Sequence, residues 1–498
     1  MLVTGFLTVF NIETILLIVG GVIVGLIFGA IPGLSAVMAV ALCLPITFGM
    51  SIINGLSLLS GLYIGAVSGG LISAILLKIP GTPSSIATTF DGHPLAKKGE
   101  AGKALGVGIV FSFLGGMLGI LLLIFIAPTL AQVTIKFGFV EYLSVTFFSI
   151  TMIAGLSNSV LKGFISGFTG FLLSFVGMAP IDSVQRFTFG NSQLLAGFAM
   201  LPLTIGVFAV SEVLTAAKTK HQVVTESEIT EYRIKGFGFT MKEFTGQLFN
   251  YFRSALIGVG IGILPGIGGG VSNIFAYTTA KNQSKYPEKF GTGIIDGIVA
   301  SETANNATVG GAFIPLLTLG IPGDSVTAVI LGAFMLHGIQ PSPLLFTSQG
   351  DLVYGIFAAL IIAHVVFFVI EFAGLSIFVK LLRVPKYILL PLVMTLCAVG
   401  AFGVNNRVFD VISFSFFGLM GYIMTRIDLP LPPLILGFIL GPNFELYLRR
   451  AFQSQQGNVF TFFSYPIANG FFIVTAITLI VAIRQNIRTA KKALKGES

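Results

Sequence analysis

Apolar runs of about twenty residues recur along the whole chain, and they restrict its fold more than any other feature. A helix of about 20 residues crosses the hydrocarbon core of a bilayer. Only 10% of the residues are charged, against about 25% in an ordinary soluble protein, and the mean hydropathy is +0.95. We therefore expect an all-α polytopic membrane protein with about 11–12 spans.

The formal net charge of +8 would also suit a protein that binds nucleic acid. The basic residues, however, lie mostly in short loops and near the end of the chain, as the positive-inside rule expects of a membrane protein. We attribute the charge to topology in a lipid bilayer and expect no nucleic-acid partner. No basic segment precedes the first apolar run, since the first lysine is Lys78, so we expect that run to remain in the mature protein.

Two pairs of similar segments occur in the same order in the two halves of the chain. "IFGAIPGLSAV" (27–37) corresponds to "IGILPGIGGGV" (261–271), and "GGLISAILLKIPGTPSS" (69–85) corresponds to "GGAFIPLLTLGIPGDSV" (310–326). Repeated segments predict a duplicated domain. The expected divisions are a first membrane repeat at 1–215, a cytoplasmic linker at 216–253, a second repeat with an extra C-terminal helix at 254–482, and a basic cytoplasmic tail at 483–498.

Loop charge indicates that the two repeats are inverted. The loop "HPLAKKGEAGK" of the first half is basic, whereas the matching "HGIQPSPLLFTSQGD" has no lysine or arginine. The earlier loops reverse this bias, because "KNQSKYPEK" of the second half is basic and the region of "FGMSIING" is uncharged. Matching loops should therefore lie on opposite sides of the membrane, with the N-terminus periplasmic and the C-terminus cytoplasmic. Arg449 and Arg450 disagree with this topology, which places them outside.

Re-entrant hairpins are expected around the first Pro-Gly pair of each half. The segment 254–280 follows a cytoplasmic linker and precedes a basic loop, yet it is too short for two spans of about 20 residues each. A hairpin with Pro265 and Gly266 at its tip fits this length. By inversion, Pro32 and Gly33 should form the tip of a hairpin that enters from the other side.

The Pro-Gly breaks predict a cavity at membrane depth. Irregular backbone is tolerated there only where it is packed in protein or lines a wet space. Free N–H groups at a break attract an anion, and free carbonyls can bind a cation. The alternative is a set of kinked helices whose Ser and Thr side chains only cap freed backbone groups. The expected substrate-binding residues are Pro32, Gly33, Ser35, Lys78, Pro80, Gly81, Thr82, Ser84, Ser85, Pro265, Gly266, Pro322, Gly323, Ser325 and Thr327.

A polar cluster within an apolar segment predicts an ion-coupling site. Glu302, Asn305 and Asn306 have i, i+3, i+4 spacing and could share a helix face. Hard cations prefer oxygen ligands, and carboxyl groups inside a membrane often belong to ion or proton pathways. The alternative is that these side chains only satisfy one another between packed helices. Asp324 has two interpretations, as a helix N-cap or as an ion ligand.

No feature of the sequence predicts a cofactor. Cys43 and Cys397 lie in apolar stretches, and the four histidines are dispersed without metal-ligand spacing. No nucleotide-binding fingerprint is present. An ion gradient of Na⁺ or protons is therefore the expected source of energy.

Several motifs resemble the large membrane subunit of bacterial tripartite tricarboxylate transporters. They are "IPGTPSSIATTFDGHPLAKKGEAGKALG", "SETANNATVGGAFIPLLTLGIPGDSVTAVILGAFMLHGIQPSPLLF" and "GAIPGLSAVMAVALCLPITFGM". The resemblance implies uptake of a di- or tricarboxylate across the bacterial inner membrane, driven by an ion gradient. It also implies two partners, a periplasmic substrate-binding protein and a small membrane subunit.

Lys78 departs from the family pattern, in which Asn usually precedes "IPGTP"; His93 likewise stands where Tyr is common. The lysine could pair with a substrate carboxylate. It could equally lie at the inner interface of the membrane with its charge in water. Both interpretations of Lys78 stay open at this point.

Two other functions compete with a secondary transporter. A membrane-embedded enzyme would need a nucleophile, a base and an orienting group, and the sequence has no such signature. A passive anion channel would need no ion coupling. Movement of one bundle against the other, of the elevator type, would follow only by analogy.

Overall fold

A computed structural model describes residues 2–155, 159–218, 234, 236–381 and 386–494. Over these residues the chain is almost entirely helical, with one short antiparallel hairpin of strands. The prediction of an all-α polytopic membrane protein is confirmed. Residues 219–233 and 235 of the predicted linker and the last four residues of the predicted tail lie outside the described residues.

The α-helices in chain order are α1 Leu2–Val9, α2 Ile12–Ala30, α3 Ala36–Cys43, α4 Ile52–Leu77, α5 Thr88–Leu95, α6 Ala101–Thr134, α7 Phe139–Gly155, α8 Val160–Ser174, α9 Met200–Thr204, α10 Ser211–Lys218, α11 Met241–Gly246, α12 Leu248–Ile263, α13 Gly268–Gln283, α14 Ile295–Leu319, α15 Ser325–Leu336, α16 Leu345–Ser348, α17 Gly350–Leu381, α18 Lys386–Asn405, α19 Val408–Arg426, α20 Leu431–Ser454 and α21 Pro466–Leu494. Short 3-10 segments are Leu44–Gly49, Pro83–Ser85, Ser192–Leu194, Pro287–Lys289 and Val459–Ser464, and π-helical turns are Ala96–Glu100 and Ile205–Val210. The strands are β1 Gly177–Met178 and β2 Gln185–Arg186.

Seven helices within the described residues are long and apolar enough to cross a membrane: Ile12–Ala30, Ile52–Leu77, Thr88–Thr134, Gly350–Lys380, Val408–Arg426, Leu431–Ser454 and Pro466–Arg484. Other apolar helices are shorter, among them α12 and α15. The long helices alone do not reach the predicted total of about 11–12 spans, because much of the remaining apolar sequence forms helices of 10–17 residues. That total stays a prediction.

The chain divides into two compact units. Unit 1 combines Met1–Ala131 with Glu212–Val404, and unit 2 combines Gln132–Ser211 with Asn405–Ser498. All four Pro-Gly motifs belong to unit 1. The predicted repeats at 1–215 and 254–482 were drawn from similar sequence segments, whereas the two units are defined by spatial contacts. The repeat boundaries therefore stay a prediction.

Two buried helices, α4 and α14, lie side by side in unit 1. Ser68 Oγ on α4 donates a hydrogen bond of 2.8 Å to Asn306 Oδ1 on α14. The rings of Tyr63 and Phe313 also meet, with centroids 6.4 Å apart. The earlier residue on α4, Tyr63, thus meets the later residue on α14, Phe313, and the later residue Ser68 meets the earlier residue Asn306. The two helices are therefore antiparallel.

Helix α2 packs along α4 in the parallel direction. Gly25 lies on the backbone of Leu62, and Gly29 lies on that of Ala66, with no room for a β-carbon at either glycine. Because α2 and α4 point the same way, the chain must return between them, and it does so through α3. Helices α2 and α3 therefore form a hairpin with Pro32 at its tip.

A similar arrangement of helices is present in the second half. On α12, Gly258 packs on the backbone of Ala304 and Gly262 packs on that of Thr308, so α12 and α14 are parallel. The return segment is α13, and Pro265 lies at the tip of this second hairpin. Helices α12 and α13 have 16 residues each, which makes each about 24 Å long and shorter than a full span. The side from which either hairpin enters a membrane stays a prediction.

Unit 2 contains the two arginines that disagree with the predicted topology. Arg449 pairs with Asp182 at 3.0 Å and with Glu445 at 3.2 Å. The guanidinium of Arg450 lies 5.3 Å from the centroid of the Phe139 ring. Because two carboxylates offset the charge of Arg449, this arginine is a weak indicator of the side of the membrane on which its loop lies.

Candidate functional site

The two Pro-Gly breaks of each half contact each other through backbone. Gly81 packs on the carbonyl of Gly29, and Gly323 packs on the carbonyl of Gly262. Neither Gly81 nor Gly323 has room for a β-carbon. Gly29 and Gly262 hold equivalent positions, each three residues before the proline of the first break. In both halves, therefore, the second Pro-Gly break packs on the C-terminal end of the first helix of the hairpin, which is α2 in one half and α12 in the other.

The tip of the α12–α13 hairpin also contacts the breaks of both halves. A β-carbon at Gly269 would lie 2.8 Å from Asn305 Oδ1 and 3.0 Å from the β-carbon of Ser84. The neighbouring Gly268 lies against the side chain of Asp324. Two breaks and one hairpin tip thus converge beside α14 within unit 1.

Three predicted binding residues of the first half cap the turn at the break. Thr82 and Ser84 share a hydrogen bond of 3.0 Å between their hydroxyls. Ser85 Oγ donates to the carbonyl of Thr82 at 2.9 Å and accepts from its N–H at 3.3 Å. The capping role that was the alternative interpretation is therefore present for Thr82 and Ser85.

Asp324 is the N-cap of α15. Its Oδ1 accepts from the Thr327 N–H at 2.7 Å, and Thr327 Oγ1 accepts from the Asp324 N–H at 2.9 Å, which forms a capping box. Asp324 also accepts a hydrogen bond from the hydroxyl of Tyr63 on α4. Ser325 follows as the first residue of the helix and is only partly buried. Asp324 thus ties the second break to α4.

Ser35 has a similar capping role at the first hairpin. It is the N-cap of α3, where its hydroxyl accepts from the Met38 N–H at 3.2 Å. The same hydroxyl donates to Glu212 Oε2 at 3.1 Å. Pro32 and Leu34 pair through a backbone bridge at the tip.

Glu302 lies in a fully buried group of hydroxyl side chains. Ser112 Oγ on α6 donates to its Oε2 at 2.9 Å, and Thr88 on α5 donates to its Oε1. Ser301 adds a hydroxyl contact of 3.1 Å to Thr88. The carboxylate, which is carried by α14, is therefore held by hydrogen-bond donors from two other helices, α5 and α6.

Asn306 and Asn305 hydrogen-bond to α4 and also contact Glu302 on their own helix. Asn306 accepts from Ser68 and donates to the carbonyl of Glu302 at 3.1 Å. Asn305 Nδ2 donates to the carbonyl of Val67 at 3.5 Å. The three residues with helical spacing are all buried on α14, but they meet different neighbours.

Two buried amide oxygens stand out at the point of convergence. Among the described residues, Asn273 Oδ1 and Asn305 Oδ1 have no hydrogen-bond partner. Asn273 donates through Nδ2 to the carbonyl of Ser84, so both amides lie beside Ser84. A buried acceptor without a partner costs about 1–3 kcal/mol. This is the place in unit 1 where a polar ligand would satisfy existing groups.

Lys78 lies elsewhere in unit 1. It follows α4 in the left-handed conformation, with φ of 58°, and Gly320 holds the equivalent position after α14 with φ of 66°. Its side chain lines a cavity of about 420 Å³ together with Lys281 and Tyr277. The other predicted binding residues do not line this cavity.

Several residues of the site were not predicted from the sequence: Tyr63, Thr88, Ser112 and Asn273. Each donates to a site residue that is 189 or more positions away in the chain, so no local spacing could reveal the pair. Of these residues, only Asn273 could have been noticed in the sequence, because it is a carboxamide within an apolar stretch of the predicted hairpin.

Interrupted helices that meet beside buried polar side chains, in a chain with many apolar helices, define a membrane transporter. The chain belongs to the tripartite tricarboxylate transporter TctA family, whose sequence model matches residues 15–436. This is a family of transporters, so the prediction that the chain is not an enzyme is confirmed.

Two relatives come from Agrobacterium vitis. One, named "Uncharacterized 52.8 kDa protein in TAR-I ttuC' 3'region", is 36% identical over 472 residues, which cover 95% of this chain and 93% of the relative. The other, named "Uncharacterized protein in TAR-II ttuC' 3'region", is 38% identical over 231 residues, which cover 46% of this chain and 96% of the relative. No solved structure matches the chain.

Proposed function

We propose that the chain is the large membrane subunit of a secondary transporter that imports a di- or tricarboxylate anion across the bacterial inner membrane. A periplasmic binding protein delivers the anion, and a small membrane subunit completes the transporter. Membership of a tripartite tricarboxylate transporter family supports this proposal.

The observation that carries the proposal is the contact of Gly269 with both Ser84 and Asn305. Interrupted helices leave backbone N–H groups free, and these groups attract an anion in the low dielectric of a membrane protein. The carboxamides of Asn273 and Asn305 add donors and acceptors beside the same point. We assign the substrate to this convergence of broken helices.

Ion coupling is assigned to α14 and to the start of α15. Glu302 is the proposed coupling carboxylate, and Asn305 and Asn306 link its helix to α4. Asp324 contacts both Gly268 at the hairpin tip and Tyr63 on α4, so a movement of the hairpin tip would be passed through Asp324 to α4. The coupling ion is Na⁺ or a proton.

Alternating access would follow from an inverted repeat. The antiparallel packing of α4 and α14 and the equivalent hairpins at Pro32 and Pro265 support the inversion. In the proposed topology the N-terminus is periplasmic and the C-terminus is cytoplasmic.

Uptake into proteoliposomes tests the proposal. The full chain would be reconstituted with its small membrane subunit and its binding protein, and labelled di- and tricarboxylates would be supplied outside. We expect accumulation above the outside concentration, abolished by an ionophore that dissipates the ion gradient. Equilibration without accumulation would instead indicate a channel and contradict the proposal.

A further inference from the structure

Glu371 on α17 is a buried carboxyl group that the proposed ion site does not include. Its side chain is fully buried, and neither carboxylate oxygen has a hydrogen-bond partner among the described residues. Glu302 is equally buried, but its oxygens accept from two hydroxyl groups. Glu371 therefore stands in an environment that offers no compensation for a negative charge.

Helix α6 places Glu371 close to the proposed ion site. Ser112 on α6 donates a hydrogen bond to Glu302, and the next residue, Phe113, packs against Phe368 on α17 with a centroid distance of 4.7 Å. Phe368 lies three residues before Glu371. The nearby Gly115 and Gly116 of α6 pack on Thr303 of α14 and on His364 of α17, so the helices that carry Glu302 and Glu371 both lie against this stretch of α6.

His364 shares the face of α17 that carries Glu371, because seven residues are about two helical turns. Its Nδ1–H donates to the carbonyl of Leu360 at 3.0 Å, and its Nε2 lies against Gly116 without a hydrogen-bond partner in the described chain. The imidazole is therefore neutral, and it supplies no positive charge to Glu371.

Within the part of the chain that the structure describes, the neighbours on α14, on α6 and in the segment before α11 bring no positive charge to Glu371. Helix α14 contributes Glu302, and α6 contributes the uncharged Ser112. Phe237 of the segment before α11 packs on Phe372, which adds an apolar neighbour. An isolated carboxylate at this depth would be strongly unfavourable, and two neighbouring carboxylates would repel each other.

We propose that Glu371 is a proton-binding residue of the transport cycle, coupled to Glu302. In the described conformation Glu371 holds a proton, so the pair carries at most one negative charge. The proton is taken from water on the outer side and is returned to water on the inner side, and the bonding electrons stay on the carboxylate oxygen. The inference rests on the proposed function and specifies protons as the coupling ion.

Proton movement in proteoliposomes provides the test. Uptake of a labelled carboxylate and acidification of a trapped pH dye would be recorded together under an imposed pH gradient, with and without Na⁺. For the wild type we expect uptake stimulated by an inward proton gradient in the absence of Na⁺. For Glu371→Gln we expect loss of that stimulation by about tenfold or more, while exchange of labelled for unlabelled carboxylate continues.

Glu243→Gln is the matched control. Hydrogen bonds from Lys103 and from the Thr240 backbone hold the pKa of Glu243 at about 2, so this carboxyl stays ionised between about pH 5 and pH 8. The control should keep the wild-type proton coupling. Failure of wild-type exchange would refute the proposed function, whereas wild-type proton coupling in Glu371→Gln would overturn only the present inference.

Chemical labelling covers the case in which Glu371→Gln does not reach the membrane. An apolar carbodiimide reacts with protonated carboxyl groups in hydrophobic surroundings. In the wild-type complex we expect its adduct at Glu371, mapped by mass spectrometry, to form faster at about pH 6 than at about pH 8. An unmodified Glu371, or labelling that does not depend on pH, would overturn the inference.

Discussion

Ser68 on α4 donates a hydrogen bond of 2.8 Å to Asn306 on α14, and this bond joins the two buried helices that precede the second breaks of the two halves. Asn306 also donates to the carbonyl of Glu302 on its own helix. One hydroxyl group therefore connects α4 to the turn of α14 that carries the proposed coupling carboxylate.

Ser68→Ala should destabilise the protein by about 1–3 kcal/mol, because Asn306 Oδ1 would be left buried without a donor. Thermal unfolding of the purified protein in detergent measures the effect. Ser415→Ala is a suitable control, since the Ser415 hydroxyl is exposed and donates only to a carbonyl of its own helix. Equal stability of the two variants would contradict the importance of this contact.

Glu302→Gln should keep the fold while reducing the ion dependence of uptake by about tenfold. The substitution preserves the size of the side chain, and the hydroxyls of Thr88 and Ser112 can rotate to accept from an amide. Uptake would be titrated against Na⁺ and against pH at equal membrane abundance. A variant with the wild-type ion dependence would exclude Glu302 as the coupling carboxylate.

Lys78→Asn tests whether the lysine attracts substrate or only anchors the chain at the interface. Asn tolerates the left-handed conformation of this position, so abundance should be unchanged. Removing one of the two lysines of the 420 Å³ cavity should raise the KM for a carboxylate by about two- to fivefold. Lys285→Gln, outside that cavity, is the control. The same KM in both variants would identify Lys78 as an interfacial anchor.

The proposed inverted repeat predicts the sides of the membrane on which two loops lie. Reporters fused near Lys97 and near Gln340 should report opposite compartments, with the basic loop cytoplasmic. Paired alkaline phosphatase and fluorescent protein fusions give complementary signals at each position. Cytoplasmic reporters at both positions would refute the inversion.

Backbone features of the site were largely predictable from the sequence. The Pro-Gly motifs located the breaks, and the length of 254–280 indicated a hairpin, because proline and span length act locally. The capping role of Asp324 was also among the interpretations, since it depends on a residue three positions away. Burial of Glu302 followed from its apolar surroundings.

Contacts between distant segments were not predictable from one sequence. Glu302 and Thr88 are 214 positions apart, and Asn273 and Ser84 are 189 apart. Helical spacing placed Glu302 and Asn306 on one face, but the actual neighbours depend on where α5, α6 and α4 pack. Glu371 carried no motif, and only its packing shows that its carboxylate lacks partners.

The most direct test of the account is the comparison of Gly269→Ala with Gly260→Ala. Both glycines belong to the α12–α13 hairpin, but an added β-carbon meets Asn305 and Ser84 at position 269 and open space at position 260. At equal membrane abundance, we expect carboxylate uptake to fall by about tenfold or more in Gly269→Ala, because the added β-carbon displaces the Asn305 carboxamide and Ser84 from their positions at the contact, and to stay at the wild-type rate in Gly260→Ala. Wild-type uptake by Gly269→Ala would contradict the claim that the broken helices form the transport site at this contact.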